Sequence, residues 1–211
     1  MRKIIILSVF IILLSCNSQS KIDLETINFE ENILVNLKKF DVGEMTGYDP
    51  DYIWTGMPAT STKDMTKFRF GEIEFEKSIS KSELADINFL WKSLDINVNK
   101  REGKIYGIHI TVNENTIQTE RIYQYLLKKY GKPTKTYGAK PKSNKEGLIL
   151  GDESFVWRNT KSDRLIIFSK EYHASFDKNV VGTSLFVISN TAKSLRRDPD
   201  KLLIDRLLES Y

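Results

Sequence analysis

Two histidines, His109 and His173, are the only imidazoles in the chain, and both fall in or beside segments that read as strands. Neither belongs to an HExxH arrangement, and no G-x-S-x-G is present to supply a hydrolase nucleophile. Ser78-Ile79-Ser80-Lys81 matches S-x-x-K, but the companion S-D-N and K-T-G signatures are absent, and Ser80 is better explained as a helix cap. Asp152-Glu153 has no context that marks an acid/base pair. Asp49 and Asp51 offer too few oxygens for calcium. No cofactor and no metal are expected, and the reading leans away from an enzyme.

Binding chemistry is better represented. Between Gly131 and Asp152 stand Lys132, Lys135, Lys140, Lys142 and Lys145 against Glu146 and Asp152 alone. Read as a long loop whose apolar end, Leu148-Ile149-Leu150, can dock it or form another strand, the segment can meet anionic lipid, acidic glycan or an acidic protein surface, although lysine-rich loops are also commonly just solvated. The second cluster is Tyr48-Asp49-Pro50-Asp51-Tyr52-Ile53-Trp54. Tyr48, Tyr52 and Trp54 beside carboxylates can stack on sugar rings, or can pin their loop to the core.

The third feature is the amino terminus. Arg2 and Lys3 precede an apolar run from Ile4 to Leu14 broken only by Ser8, the pattern of a signal peptide. Twelve helical residues span about 18 Å, short of a hydrocarbon core of roughly 30 Å. Leu13-Leu14-Ser15-Cys16 resembles the lipobox of bacterial lipoproteins, a resemblance confined to residues 1–16. It implies a diacylglycerol on the Cys16 thiol, removal of residues 1–15, and anchorage by two or three acyl chains, which hold a protein far more firmly than one. Asn17, where the enterobacterial sorting rule would retain lipoproteins with Asp, favours the outer membrane. Cys16 is the only cysteine, so the mature domain is expected to have no disulfide.

Removing residues 1–15 leaves 30 basic against 28 acidic residues, a net +2. That balance, with export, argues against a nucleic-acid partner. The composition, 40% apolar and 11% aromatic, is that of an ordinary globular domain. The expected organisation is a signal peptide over 1–15, a lipidated cysteine and tether over 16–26, and one α+β domain over 27–211.

The elements that must position these groups follow from periodicity. Ile33, Leu34, Leu37 and Phe40 suggest a helix, although Ile33, Val35 and Leu37 also alternate as a strand would, and residues 43–64 read as loop. Phe68 to Phe75 reads as a strand with a bulge at Gly71. Ser80 and Glu83 suggest a capping box for a helix over 81–94, with Leu84, Ile87, Leu90, Trp91 and Leu94 at helical spacing. Lys104 to Val112 alternates as a strand, with Tyr106, Ile108, Ile110 and Val112 on one face and His109 on the other, near solvent or under a helix. Thr119 to Tyr130 is the best helix, stopped by Gly131 and Pro133. Three strands follow, at Ser154–Arg158, Leu165–Glu171 and Thr183–Ser189, and a last helix starts at Asp198-Pro199. The predicted fold is α+β, a mainly antiparallel sheet with helices packed on one face. The functional expectation is a membrane-anchored envelope lipoprotein with a non-catalytic, protein-binding domain. The alternatives are an immunity or inhibitor lipoprotein that sequesters a toxin or envelope enzyme, and a glycan-acting or glycan-binding lipoprotein.

Overall fold

Strands dominate among the described residues, because unbroken apolar runs such as Leu165-Ile166-Ile167-Phe168 and Leu185-Phe186-Val187-Ile188 suit strands buried on both faces. The computed structural model describes residues 21–32, 35, 47–49, 58–75, 85–93, 103–113, 115–138, 142–143, 149–159, 162–175, 178–193, 202–203, 205 and 207. A small three-stranded sheet consists of β1 (Ile22–Asp23), β4 (Phe68–Phe70) and β5 (Ile73–Glu74). The main sheet holds β2 (Gly47–Asp49), β3 (Ala59–Thr62), β6 (Ala85–Ser93), β7 (Gly103–Val112), β12 (Lys178–Ser189), β11 (Arg164–Ser175), β10 (Ile149–Asn159) and β8 (Lys135–Tyr137) in that spatial order. A ninth strand, β9 (Lys142–Ser143), lies off this order and pairs with Ile149 and Leu150 of β10. All its pairings are antiparallel.

Helix α1 (Thr116–Tyr130) lies on one face of this sheet. Asn115 caps it by accepting the Gln118 amide at 3.0 Å, one turn before the expected start. Gly131, at φ 76°, ends it by donating to the Leu127 carbonyl. Ile122, Tyr125 and Leu126 are buried against Ile108, Ile110, Phe168, Leu185 and Val187, together with Phe68, Phe70 and Leu24 from the small sheet and its leading segment. The other face carries Leu90, Val156, Leu165, Ile167, Phe186 and Ile188, packed against Leu203 and Leu207. Residues 203, 205 and 207 are helical, as the C-terminal pattern led one to expect, but they cover the opposite face from α1. Helices on one face is therefore corrected to one complete α-helix among the described residues, on a sheet buried on both sides.

The expected helix over 81–94 is overturned by β6. Ile87, Phe89 and Trp91 point into the α1-side core and Leu90 into the other, all fully buried. A strand buried on both faces keeps its apolar residues close together, so Ile87, Leu90 and Trp91 satisfy helical and strand periods alike, and pairing with β3 and β7 decides. Tyr106 also leaves its expected face. The register between β6 and β7 slips at Leu90/Trp91, so that Gly107 and Ile105 take successive partners and Tyr106 turns to the second cluster. The Phe68–Phe75 segment is a hairpin rather than one bulged strand. Phe70 pairs with Ile73 across a two-residue turn whose first member, Gly71, has φ 57° and lies against the Tyr125 hydroxyl, where a Cβ would come within 1.9 Å. Residues 43–64 are not all loop, since β2 and β3 lie within them. The helix expected around Ile33 to Phe40 falls mostly outside the described residues.

Part of the segment 16–26 expected as a tether is folded. Ile22–Asp23 forms β1, and Leu24–Thr26 is a 3-10 turn whose Leu24 is fully buried.

Candidate functional site

The sheet has two edge strands in its described part, and the sequence-flagged groups fall on both. Lys135 opens β8 opposite Val156 and is exposed, while Lys142 lies on β9 opposite Leu150. The expected loop over 131–152 is thus corrected, since β8 and β9 lie within it, while β10 begins at Ile149 in the apolar run that could form a strand. Its course is fixed by Thr134, whose amide and hydroxyl both donate to the Val156 carbonyl, at 2.7 and 2.8 Å. At Gly138, φ 85°, a Cβ would sit 2.2 Å from the Asp152 carbonyl oxygen. Tyr48 lies on β2, the other edge, opposite Thr60. Cys16, Tyr52, Trp54, Lys140 and Lys145 lie outside the described residues. The described candidates, Lys135 and Lys142 on one side and Tyr48 on the other, therefore lie at opposite ends of the strand order.

His109 is not near solvent. It is 3% exposed, its ring stacks on Phe186 at 3.8 Å, and its Nε2 lies 2.7 Å from the Ser184 hydroxyl. Nearby Asp86 accepts from Asn88 at 3.2 Å, and Asn88 pairs with His109 across β6 and β7. Ser-to-His contact is the geometry of an activated nucleophile. The environment works against that use, because burial pushes the imidazole down to about 3. A base that resists protonation near neutrality cannot take up a serine proton efficiently. Burial likewise raises the Asp86 carboxyl, against the hydrogen bonds it accepts from Thr111 and Asn88. Beside them, the buried hydroxyls of Ser154 and Ser169 bond each other at 2.8 Å. His109, Ser184, Ser154 and Ser169 thus form a buried polar seam within the sheet. His173 stands on β11 opposite Val180.

A dense charged cluster among the described residues was not visible in the sequence. Glu25, with its side chain 5% exposed, accepts from the Tyr125 hydroxyl at 2.6 Å, from Lys129 Nζ at 2.6 Å and from the Tyr130 hydroxyl. Burial, then the bond to Glu25, holds both phenols far above their ordinary range. Burial alone would lower Lys129, but its hydrogen bond to Glu25 and that carboxylate's charge outweigh the effect and raise it. Arg164 donates to the backbone carbonyls of Glu25 and Ile27 and covers the Phe29 ring at 4.5 Å. Asp23 completes the clamp by accepting from the amides of Glu25 and Gly71 at 3.1 and 2.9 Å. The available signal was Ile22, Leu24, Ile27 and Phe29, apolar residues punctuating a stretch that otherwise reads as polar. With all its donors internal, the carboxylate ties the amino-terminal segment to α1.

A further cluster surrounds Lys170, which bonds Glu120 at 2.7 Å and lies 3.9 Å over the Tyr123 ring. Tyr172 donates to Glu153 at 3.1 Å, and burial with that neighbour pushes its hydroxyl up to about 12. Among the described residues, no three His, Cys, Asp or Glu side chains gather in a metal-binding group. Comparison with family models, curated proteins and solved structures finds no match to this chain.

Proposed function

We propose that this chain is an envelope lipoprotein, anchored through a lipid on Cys16 in the outer membrane, whose folded domain binds a protein partner along its β8–β9 edge. The observation that carries the reading is the position of the lysine-rich segment. It supplies the last strands of the sheet, with Lys135 exposed on β8, Lys142 on β9, and Lys140 and Lys145 next to them in sequence. An edge strand presents unpaired amides and carbonyls that an added strand can use. Lysines at such an edge deter indiscriminate pairing and favour a partner strand rich in Asp and Glu. The apolar run and the cysteine at its end supply the anchor.

The test is cross-linking in the native membrane, comparing the natural chain with a Lys135→Glu, Lys142→Glu double variant. Lys135 is exposed, and a surface change of this kind costs about 0.5 kcal/mol or less, so Lys135→Glu alone, run beside the double variant, should fold. A discrete protein adduct is expected with the natural chain and should fall about tenfold in the double variant, since juxtaposed like charges are strongly unfavourable. A toxin or envelope enzyme as the captured protein would make the chain an inhibitor of the immunity type. An adduct of undiminished yield, or none with either chain, would count against the edge as a binding surface.

A further inference from the structure

The geometry points to a second surface: the groove between α1 and the β4–β5 hairpin rests on the membrane that carries the anchor. This inference depends on the lipid at Cys16 proposed above. Five residues, Asn17 to Lys21, separate Cys16 from the first folded residue, Ile22. At full extension those six steps reach at most about 21 Å. The domain therefore cannot stand clear of its anchor, and the surface around Lys21 is the one held nearest the bilayer.

What lies there suits a lipid surface. Lys21 bonds Glu74 at 2.7 Å, and the carbonyl of the same Glu74 accepts from the Gln118 side chain at 3.3 Å. The chain thus emerges beside the first turn of α1. The residue before Gln118 is Ile117, 75% exposed and the most exposed large apolar side chain among the described residues. Ile117 lines an open groove of about 470 Å³ with Ile73 and Tyr125, whose walls are mainly apolar surface. Arg121 and Lys128 stand in the same lining with Glu72 and Glu120, of which Glu72 lies 3.7 Å from Lys128 and Glu120 bonds Lys170 at 2.7 Å outside the groove's lining. An apolar strip with long basic side chains at its margin is the pattern of a segment that settles at the headgroup boundary, its alkyl stems inward and its charges toward phosphate.

The chain's single cysteine makes the test clean. In the lipidated protein Cys16 is a thioether, so Ile117→Cys introduces one free thiol for an environment-sensitive fluorophore. Asp205→Cys, exposed near Leu203 and Leu207 on the other side of the sheet, is the reference position. Each full lipidated chain is reconstituted into phosphatidylethanolamine–phosphatidylglycerol vesicles containing a phospholipid spin-labelled high on its acyl chain. The label at 117 should shift to the blue on reconstitution and be quenched at least about twofold more than the label at 205. Equal quenching at the two positions, in chains whose intact mass shows the lipid on Cys16, would overturn the membrane-facing groove while leaving the anchor standing. An unmodified Cys16 would overturn both. A blue shift at 117 that grows with protein concentration in lipid-free detergent, and is not deepened by vesicles, would give the groove to a second copy and overturn the inference as well.

Discussion

Glu25→Ala is expected to destabilise the domain by about 2–4 kcal/mol, although the residue stands in a stretch that reads locally as a tether. The carboxylate is the common acceptor for Tyr125, Tyr130 and Lys129. Removing it strands the Tyr125 hydroxyl in a site where the ring is 7% exposed, and a buried donor without an acceptor costs its full desolvation. Lys129, 44% exposed, can turn to water, which limits the loss. Tyr125→Phe and Tyr130→Phe should each cost less, because either leaves the carboxylate with two donors. The three effects should not add, since all remove parts of one network. Chemical denaturation with the slope held fixed gives the numbers. A fall below about 1 kcal/mol for Glu25→Ala would mean that the clamp contributes little to holding β1 and the following turn against α1.

His109→Gln should flatten the acid side of the stability profile. Burial keeps the folded imidazole neutral down to about pH 3, whereas the unfolded one titrates near 6.5. Between those values the unfolded chain binds the extra proton, so stability falls as the pH falls. For one such group the loss at pH 5 relative to pH 8 is about 2 kcal/mol. The second histidine, His173, is present in both chains, so its contribution cancels in the comparison. Gln at 109 loses the ring stacked on Phe186 and is expected to be less stable at every pH. The informative quantity is therefore the slope: natural chain minus variant should lose about 2 kcal/mol from pH 8 to 5. Parallel profiles would show that His109 charges in the folded state.

Strand β7 and helix α1 were legible because each carries its own local signals. Ile108, Ile110 and Val112 alternate, and Gly131 ends the helix where the apolar stripe stops. Strand β6 was not legible, because Ile87, Leu90 and Trp91 fit two periods and the choice is made by β3 and β7, both distant in sequence. The same holds for the clamp. Glu25 lies 100 and 105 residues from the tyrosines that bind it, so nothing near it in the sequence announces its burial. The lysine segment was legible in composition but not in form. Its strands depend on register with β10, which a count of lysines cannot supply.

The lipid anchor proposed at Cys16 underlies the envelope assignment and the membrane-facing groove inferred from it, so the most direct measurement is the intact mass of the chain extracted from its native membrane. The account predicts a chain that begins at Cys16, lacks residues 1–15 and carries the added mass of a diacylglyceryl group, with or without an amide-linked acyl chain. A membrane-extracted or soluble chain that retains Met1, with Cys16 as a free thiol, would contradict it.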